Sequence, residues 1–210
     1  MTSIDTVTLE VADPSNAHDF YAAAFGPDIP VRVRASEAPT SGFRGFTLSL
    51  IVSQPANVDA LVDAAVDAGA TTLKPAAKSL WGYGGMVQAP DGTIWQIVSS
   101  SKKNTGPATR QVDDVVLLLG VENVSETKRF YVDRGFSVAK SFGSKYVEFD
   151  AASSPVKLAL YKRRGLAKLA GVAPEGTGSH RLVVGSDGPP FTDPDGFAWE
   201  TVPQPATGRS

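Results

Sequence analysis

The chain contains no cysteine, and histidine occurs only twice among its 210 residues. Without cysteine it can form no disulfide bond, no thiolate zinc site and no cysteine nucleophile. The two histidines, His18 and His180, do not allow a Ser-His-Asp constellation to be built convincingly. His18 lies on a predicted helix, where we expect it to face solvent.

Long apolar runs and concentrations of one charge are also missing. No apolar run approaches the ~20 residues that a membrane span needs, and the N-terminus lacks the basic and apolar regions of a signal peptide. The formal charge is −2, and the lysines and arginines are too scattered to form the basic stripe that nucleic acid requires. We therefore expect a cytoplasmic protein with no nucleic-acid partner and no membrane partner.

Apolar residues make up 42% of the sequence, which is enough for a core, and the length suits one or two domains. Residues 99–107 are polar and end in Gly-Pro, which is typical of a linker. We predict one domain at residues 1–101, a linker at 102–108, a second domain at 109–203 and a tail at 204–210.

The two halves share an order of local features. Each begins with an apolar strand, followed by a helix with an N-capping side chain, a Phe-Tyr pair and a terminal glycine. In the first half these are the strand at 5–11, Asp13-Pro14, Phe20-Tyr21 and Gly26. In the second half they are the strand at 112–119, Asn123, Phe130-Tyr131 and Gly135. The second set lies about 109 residues after the first, a spacing that indicates duplicated domains.

Both halves also end alike. Each has a Pro-Asp-Gly turn, at residues 90–92 and 194–196, followed by an alternating strand. Trp95 and Gln96 therefore face opposite sides of one strand, as do Trp199 and Glu200 on the other.

Between these ends the halves differ. The first half has a second helix that ends near Gly69, while residues 27–42 leave room for only one strand. The second half has three strands, at 136–142, 145–149 and 156–161, and no second helix after 181–186. We expect residues 162–164 to be a solvated strand end and residues 171–178 to be a flexible connector.

This order resembles the vicinal oxygen chelate superfamily of glyoxalases, bleomycin resistance proteins and extradiol dioxygenases. The resemblance rests on the first strand with its capped helix, residues 59–69, residues 81–85 and the two Pro-Asp-Gly strands. It implies an α+β fold of tandem βαβββ modules, which form two glyoxalase-like domains with curved, partly closed mixed sheets. The first and the last of the four modules are abbreviated, which also allows modules two and three to pair with each other.

The resemblance implies a metal site formed by the first strand of each module and the last strand of the domain. In the first domain these positions fall on Thr6, on Gly45 or Phe46, and on Gln96, so we expect no metal there. In the second domain they fall on Asp114, His180 and Glu200, which could hold Zn, Ni, Mn or Fe.

A simpler interpretation of the same three residues involves no metal. Asp114 would then be solvated, His180 would bond to the backbone, and Glu200 would pair with Arg181.

Three functions follow from the resemblance. The first is a metal-assisted lyase or isomerase, less plausibly a dioxygenase, acting on a small oxygenated molecule in the C-terminal domain. Glu200 would be either a metal ligand or instead a catalytic base. The second is a metal-free protein that sequesters a small molecule by stacking on Trp81, Tyr83, Trp95 and Trp199. The third is a scaffold-like dimer without a small ligand. The resemblance also allows a homodimer, although a two-domain chain can supply the same pairing internally.

Overall fold

The computed structural model describes residues 3–151 and 154–202, so the predicted tail at 204–210 lies outside the described residues. The fold is α+β, as predicted. Its helices are α1 (Pro14–Phe25), α2 (Pro55–Asp67), α3 (Val124–Val132) and α4 (Arg163–Ala170). No helix in the described part of the chain has the length and apolarity to cross a bilayer.

The strands of the first half are β1 (Ile4–Val11), β2 (Val31–Ala35), β3 (Thr40–Gly42), β4 (Phe46–Ile51), β5 (Thr71–Ser79), β6 (Gly82–Gln88) and β7 (Ile94–Ser99). Those of the second half are β8 (Asp114–Val121), β9 (Val138–Phe142), β10 (Tyr146–Phe149), β11 (Val156–Lys162), β12 (Gly176–Gly178), β13 (Leu182–Ser186), β14 (Phe191–Thr192) and β15 (Ala198–Thr201). The three predicted strands of the third module are confirmed as β9, β10 and β11.

The predicted helix starts are confirmed. The side chain of Asp13 accepts a hydrogen bond from the backbone N–H of Asn16 at the start of α1, and Asn123 does the same for Glu126 in α3. These caps satisfy N–H groups that have no partner inside the helix. Gly26, with φ of 94°, follows α1 in a conformation that favours glycine.

Each large sheet draws on both halves of the chain. One sheet has the strand order β14-β15-β13-β1-β2, and the other has the order β5-β6-β7-β4-β8-β11-β10-β9. Modules two and three therefore share the eight-stranded sheet, while modules one and four share the five-stranded sheet. This is the pairing that the sequence left open, and the domain limits at 1–101 and 109–203 remain predictions.

The main core contains one face of each large sheet together with α1, α2 and α3. Trp95 lies there against Tyr21 and Phe25, with ring centroids 5.5 and 4.8 Å away. Trp199 lies there against Tyr131, with ring centroids 5.5 Å apart. The opposite face of the eight-stranded sheet, which we call the α4 face, packs against helix α4.

Helix α4 corrects the expected solvated strand end at 162–164. Arg163 begins the helix and donates to the carbonyl oxygens of Phe43 and Pro174. Leu166 is fully buried in an apolar cluster on the α4 face. The buried members of that cluster are Phe43, Met86, Ile94, Leu118, Ala159, Leu166, Ala167 and Ala170.

Two other segments also differ from expectation. Residues 176–178, expected to be a flexible connector, form β12 and pair with β3. Residues 27–42 hold two short strands, β2 and β3, where we predicted one. Backbone pairing between distant segments gives these short stretches an extended form that their local sequence does not demand.

The predicted linker is exposed but anchored. The buried side chain of Gln54 accepts hydrogen bonds from the backbone N–H groups of Thr105 and Gly106. Its amide nitrogen donates to the carbonyl oxygens of Gly106 and Pro107. The linker therefore has a defined path over the start of α2.

Candidate functional site

Four side-chain positions form a row across the middle of the α4 face. Ser49 on β4 is in register with Gln96 on β7 and with Val116 on β8, and Val116 is in register with Lys157 on β11. Residues that are directly opposite one another on neighbouring strands point to the same face. The first and last strands of modules two and three thus meet in this row.

A cavity of about 290 Å³ opens on the row where α4 leaves the face uncovered. Its volume is close to the lower end of the range for small-molecule sites. The lining residues are Ser49, Ile51, Gln96, Asp114, Val116, Leu118, Tyr146, Glu148 and Lys157.

The polar groups of this cavity are arranged in pairs. Lys157 Nζ lies 2.8 Å from Asp114 Oδ2, and the Ser49 hydroxyl donates to Gln96 Oε1 at 3.0 Å. The Tyr146 hydroxyl donates to Glu148 at 3.1 Å. Burial, and then the neighbouring Glu148 carboxylate, raises the pKa of Tyr146 well above its usual range, so this phenol stays protonated at neutral pH.

The predicted residues Asp114 and Glu200 lie on different sheets. Asp114 is at the start of β8, in the α4-face cavity. Glu200 is on β15 of the five-stranded sheet, where it accepts a hydrogen bond from Arg34 Nη1 at 3.0 Å. The other terminal nitrogen of Arg34 donates to Glu10 at 2.9 Å, so Glu200 belongs to a three-residue ion network.

His180 bonds to the backbone, which is the simpler of its two interpretations. Its Nδ1 lies 2.5 Å from the carbonyl oxygen of Arg44, and its Nε2 lies 3.0 Å from that of Asp195. The ring stacks on Phe197 with 4.0 Å between centroids. A metal ligand needs a free ring nitrogen, and in this geometry both nitrogens already face carbonyl oxygens.

The side chains at the row differ from the ligands that a divalent metal ion needs. A transition metal is usually held by three or more His, carboxylate or thiolate ligands. Within residues 3–151 and 154–202, no three His, Asp or Glu side chains come together in such a group. At the row itself the positions are Gln, Ser, Val and Lys, and the nearby Asp114 carboxylate is already paired with the Lys157 ammonium. These residues do not fit a resident metal ion.

The four predicted stacking residues do not gather around the cavity. Trp95 and Trp199 are 0% and 3% exposed in the main core, and Trp199 Nε1 donates to the Tyr131 hydroxyl. Trp81 is 84% exposed at the β5–β6 turn. Tyr83 donates its hydroxyl hydrogen to Asp59 on α2, and this bond raises the pKa of Tyr83.

Our sequence reasoning did not identify Ser49, Tyr146, Glu148 or Lys157. Each is a polar residue whose neighbours in its strand are buried apolar residues on the opposite face. Polar positions alternating with core positions were therefore a visible signal. Their convergence depended on knowing that β4, β8 and β11 are neighbours.

The comparisons with known proteins identify the fold. No protein-family model and no curated protein match the sequence. The crystal structure of glyoxalase I from Zea mays aligns with a TM-score of 0.61 at 12% identity, covering 95% of this chain and 91% of that one. A glyoxalase/bleomycin resistance protein/dioxygenase family enzyme from Burkholderia phytofirmans PsJN matches at 22% identity with a TM-score of 0.43, over 47% of this chain and 98% of its own. The chain therefore shares its fold with glyoxalase I.

Proposed function

We propose that this chain is a metal-independent protein that binds a small, polar, oxygenated molecule in the α4-face cavity. The observation that carries the proposal is the Lys157–Asp114 pair, which supplies a donor and an acceptor in the wall of the cavity. Cavities with apolar walls and a few convergent polar groups are the usual binding sites of small molecules.

The cavity offers complementary contacts to such a molecule. The Lys157 ammonium and the Gln96 amide can donate to hydroxyl, carbonyl or carboxylate oxygens. Asp114 and Glu148 can accept from hydroxyl or ammonium groups, while Ile51 and Val116 supply apolar contact. Because α4 closes one end of the face, the ligand is expected to be small.

Binding is tested by isothermal titration calorimetry and thermal shift with small hydroxy acids, amino acids, diols and amines. We expect one of these classes to raise the melting temperature of the wild type. Lys157→Met should weaken that binding at least about tenfold, the effect of losing one charged hydrogen bond. Glu200→Gln on the other sheet is the matched control and should bind like the wild type. Binding that survives Lys157→Met but not Glu200→Gln would move the site to the five-stranded sheet.

The metal-dependent lyase or isomerase is tested separately, by metal analysis of protein purified without a His tag. We expect no stoichiometric metal in the wild type and none after addition of Zn, Ni, Mn or Fe. One bound metal ion that is lost in both Asp114→Ala and Glu200→Ala would instead support the predicted triad with His180.

A further inference from the structure

The turn between β5 and β6 presents two large apolar side chains to solvent. Leu80 is 79% exposed and Trp81 is 84% exposed; we call these two residues the tip. The turn is fixed by hydrogen bonds, because the Ser79 hydroxyl accepts from the N–H of Trp81 and donates to the carbonyl oxygen of Gly82. Gly82 has φ of 146°, and an added Cβ would lie 2.0 Å from the carbonyl oxygen of Ser99. These contacts fix the backbone of the turn that exposes Leu80 and Trp81.

Lysines lie close to the tip. Lys78 is on β5 beside it, and Lys102 Nζ donates to the carbonyl oxygen of Leu80, with Lys103 next in sequence. Residues 68–90 and 92–112 contain no Asp or Glu, although the whole chain has a formal charge of −2. The tip is therefore an apolar projection beside lysines, while Asp59 and Asp63 of α2 face Tyr83 on the neighbouring strand β6.

A groove at the other end of the linker has the opposite character. Its volume is about 630 Å³, more than twice that of the α4-face cavity. Phe25, Ile29, Val112 and Pro155 contribute apolar surface to it. The exposed residues Asp28 and Asp113 are on its rim, and neither forms a salt bridge with a described residue. One basic residue, Arg110, also lines the groove and donates to the carbonyl oxygen of Ala23.

We propose that the tip of one copy of this chain docks in the groove of a second copy. The apolar side chains of the tip suit the apolar wall of the groove. Lys102 and Lys103 are opposite in charge to Asp28 and Asp113. The tip and the groove are different surfaces, so the contact closes into a dimer only when each copy places its tip in the groove of the other.

The size of the contact predicts a weak association. A tip of two large apolar side chains covers roughly 300 Å². Two reciprocal contacts, counted on both copies, bury about 1,200 Å², which is the lower limit for specific interfaces. The dimer should therefore form reversibly, and it should weaken as salt screens the lysine–aspartate attraction.

Sedimentation velocity over a range of protein concentrations, at low salt and at about 1 M salt, tests the proposal. We expect a concentration-dependent shift from monomer to dimer at low salt that is lost at high salt and in Trp81→Ser. Phe142→Ser is the matched control, because Phe142 is 66% exposed on β9 at the opposite edge of the same sheet. It should dimerise like the wild type.

A charge exchange makes the test specific to these two surfaces. The double variant K102E/K103E has an acidic tip and an acidic groove, and D28K/D113K has a basic tip and a basic groove. Each should be monomeric alone, and an equimolar mixture should dimerise. A wild type that stays monomeric at every concentration overturns the proposal, as does a dimer that Trp81→Ser leaves intact or a mixture that fails to associate.

Discussion

The imidazole of His180 lies between two backbone segments, with its Nδ1 atom 2.5 Å from the carbonyl oxygen of Arg44. Arg44 precedes β4 of the eight-stranded sheet, whereas His180 precedes β13 of the five-stranded sheet. The ring therefore links the segment that precedes β4 to the segment that precedes β13.

We predict that His180→Ala lowers the free energy of unfolding by about 2–4 kcal/mol. The substitution removes a stacked ring and leaves at least one backbone carbonyl oxygen without its donor. Urea unfolding at neutral pH measures the effect. His18→Ala, which changes an exposed histidine on α1, is the control and should stay within about 0.5 kcal/mol of the wild type. Equal effects of the two substitutions would contradict the bridging role.

We predict that Gln54→Ala destabilises the protein by about 1–3 kcal/mol and frees the linker. The buried amide of Gln54 is the anchor for backbone groups of Thr105, Gly106 and Pro107, which would lose their partner. Limited proteolysis should then cut within residues 102–108 faster than in the wild type. Gln111→Ala, at an exposed position, is the comparison and should leave the cleavage rate unchanged. A linker equally resistant in both variants would show that other contacts hold it.

Asp193 should make stability depend on pH. Burial raises the pKa of this carboxyl above its usual value, although hydrogen bonds from the Tyr131 hydroxyl and the Phe197 N–H oppose the shift. A folded-state pKa above the unfolded one means that the protonated form favours folding. That contribution is fully present below the unfolded pKa of about 4 and is lost as pH rises through the folded pKa.

The substitution Asp193→Asn removes this titration. Relative to the wild type, the variant should gain stability as pH rises from about 3 to 7. Urea unfolding at several pH values measures the difference, and Asp150→Asn, at an exposed carboxyl, should show no such trend. A constant difference between Asp193→Asn and wild type across this range would contradict the assignment.

We predict that Leu166→Ala costs about 2–5 kcal/mol, because the side chain is fully buried where α4 packs on the eight-stranded sheet. Thermal and urea unfolding measure the loss. Leu80→Ala, at a side chain that is 79% exposed, should cost less than about 0.5 kcal/mol. A small effect of Leu166→Ala would show that α4 is not part of the cooperative core.

The sequence by itself predicted several local elements of this protein. Asp13 and Asn123 indicated the starts of two helices, because their side chains suit the N-cap and the apolar residues after them follow a helical spacing. The Pro-Asp-Gly turns placed Trp95 and Trp199 on the face opposite to Gln96 and Glu200, as the structure has them. These features depend on residues close together in the chain, so local stereochemistry is enough to determine them.

Only the tertiary structure decided which of these elements are neighbours. Asp114 and Glu200 were assigned to one site because their strands belong to one half of the chain, yet β8 pairs with β4 and β15 with β13. Helix α4 was not predicted, because its eight residues are too few for a clear periodic pattern. Its stability comes from packing on the α4 face. Strand pairing depends on hydrogen bonds and buried area between residues far apart in sequence. For this reason Asp114 of the predicted triad pairs with Lys157 in the candidate site, whereas Glu200 lies on the other sheet.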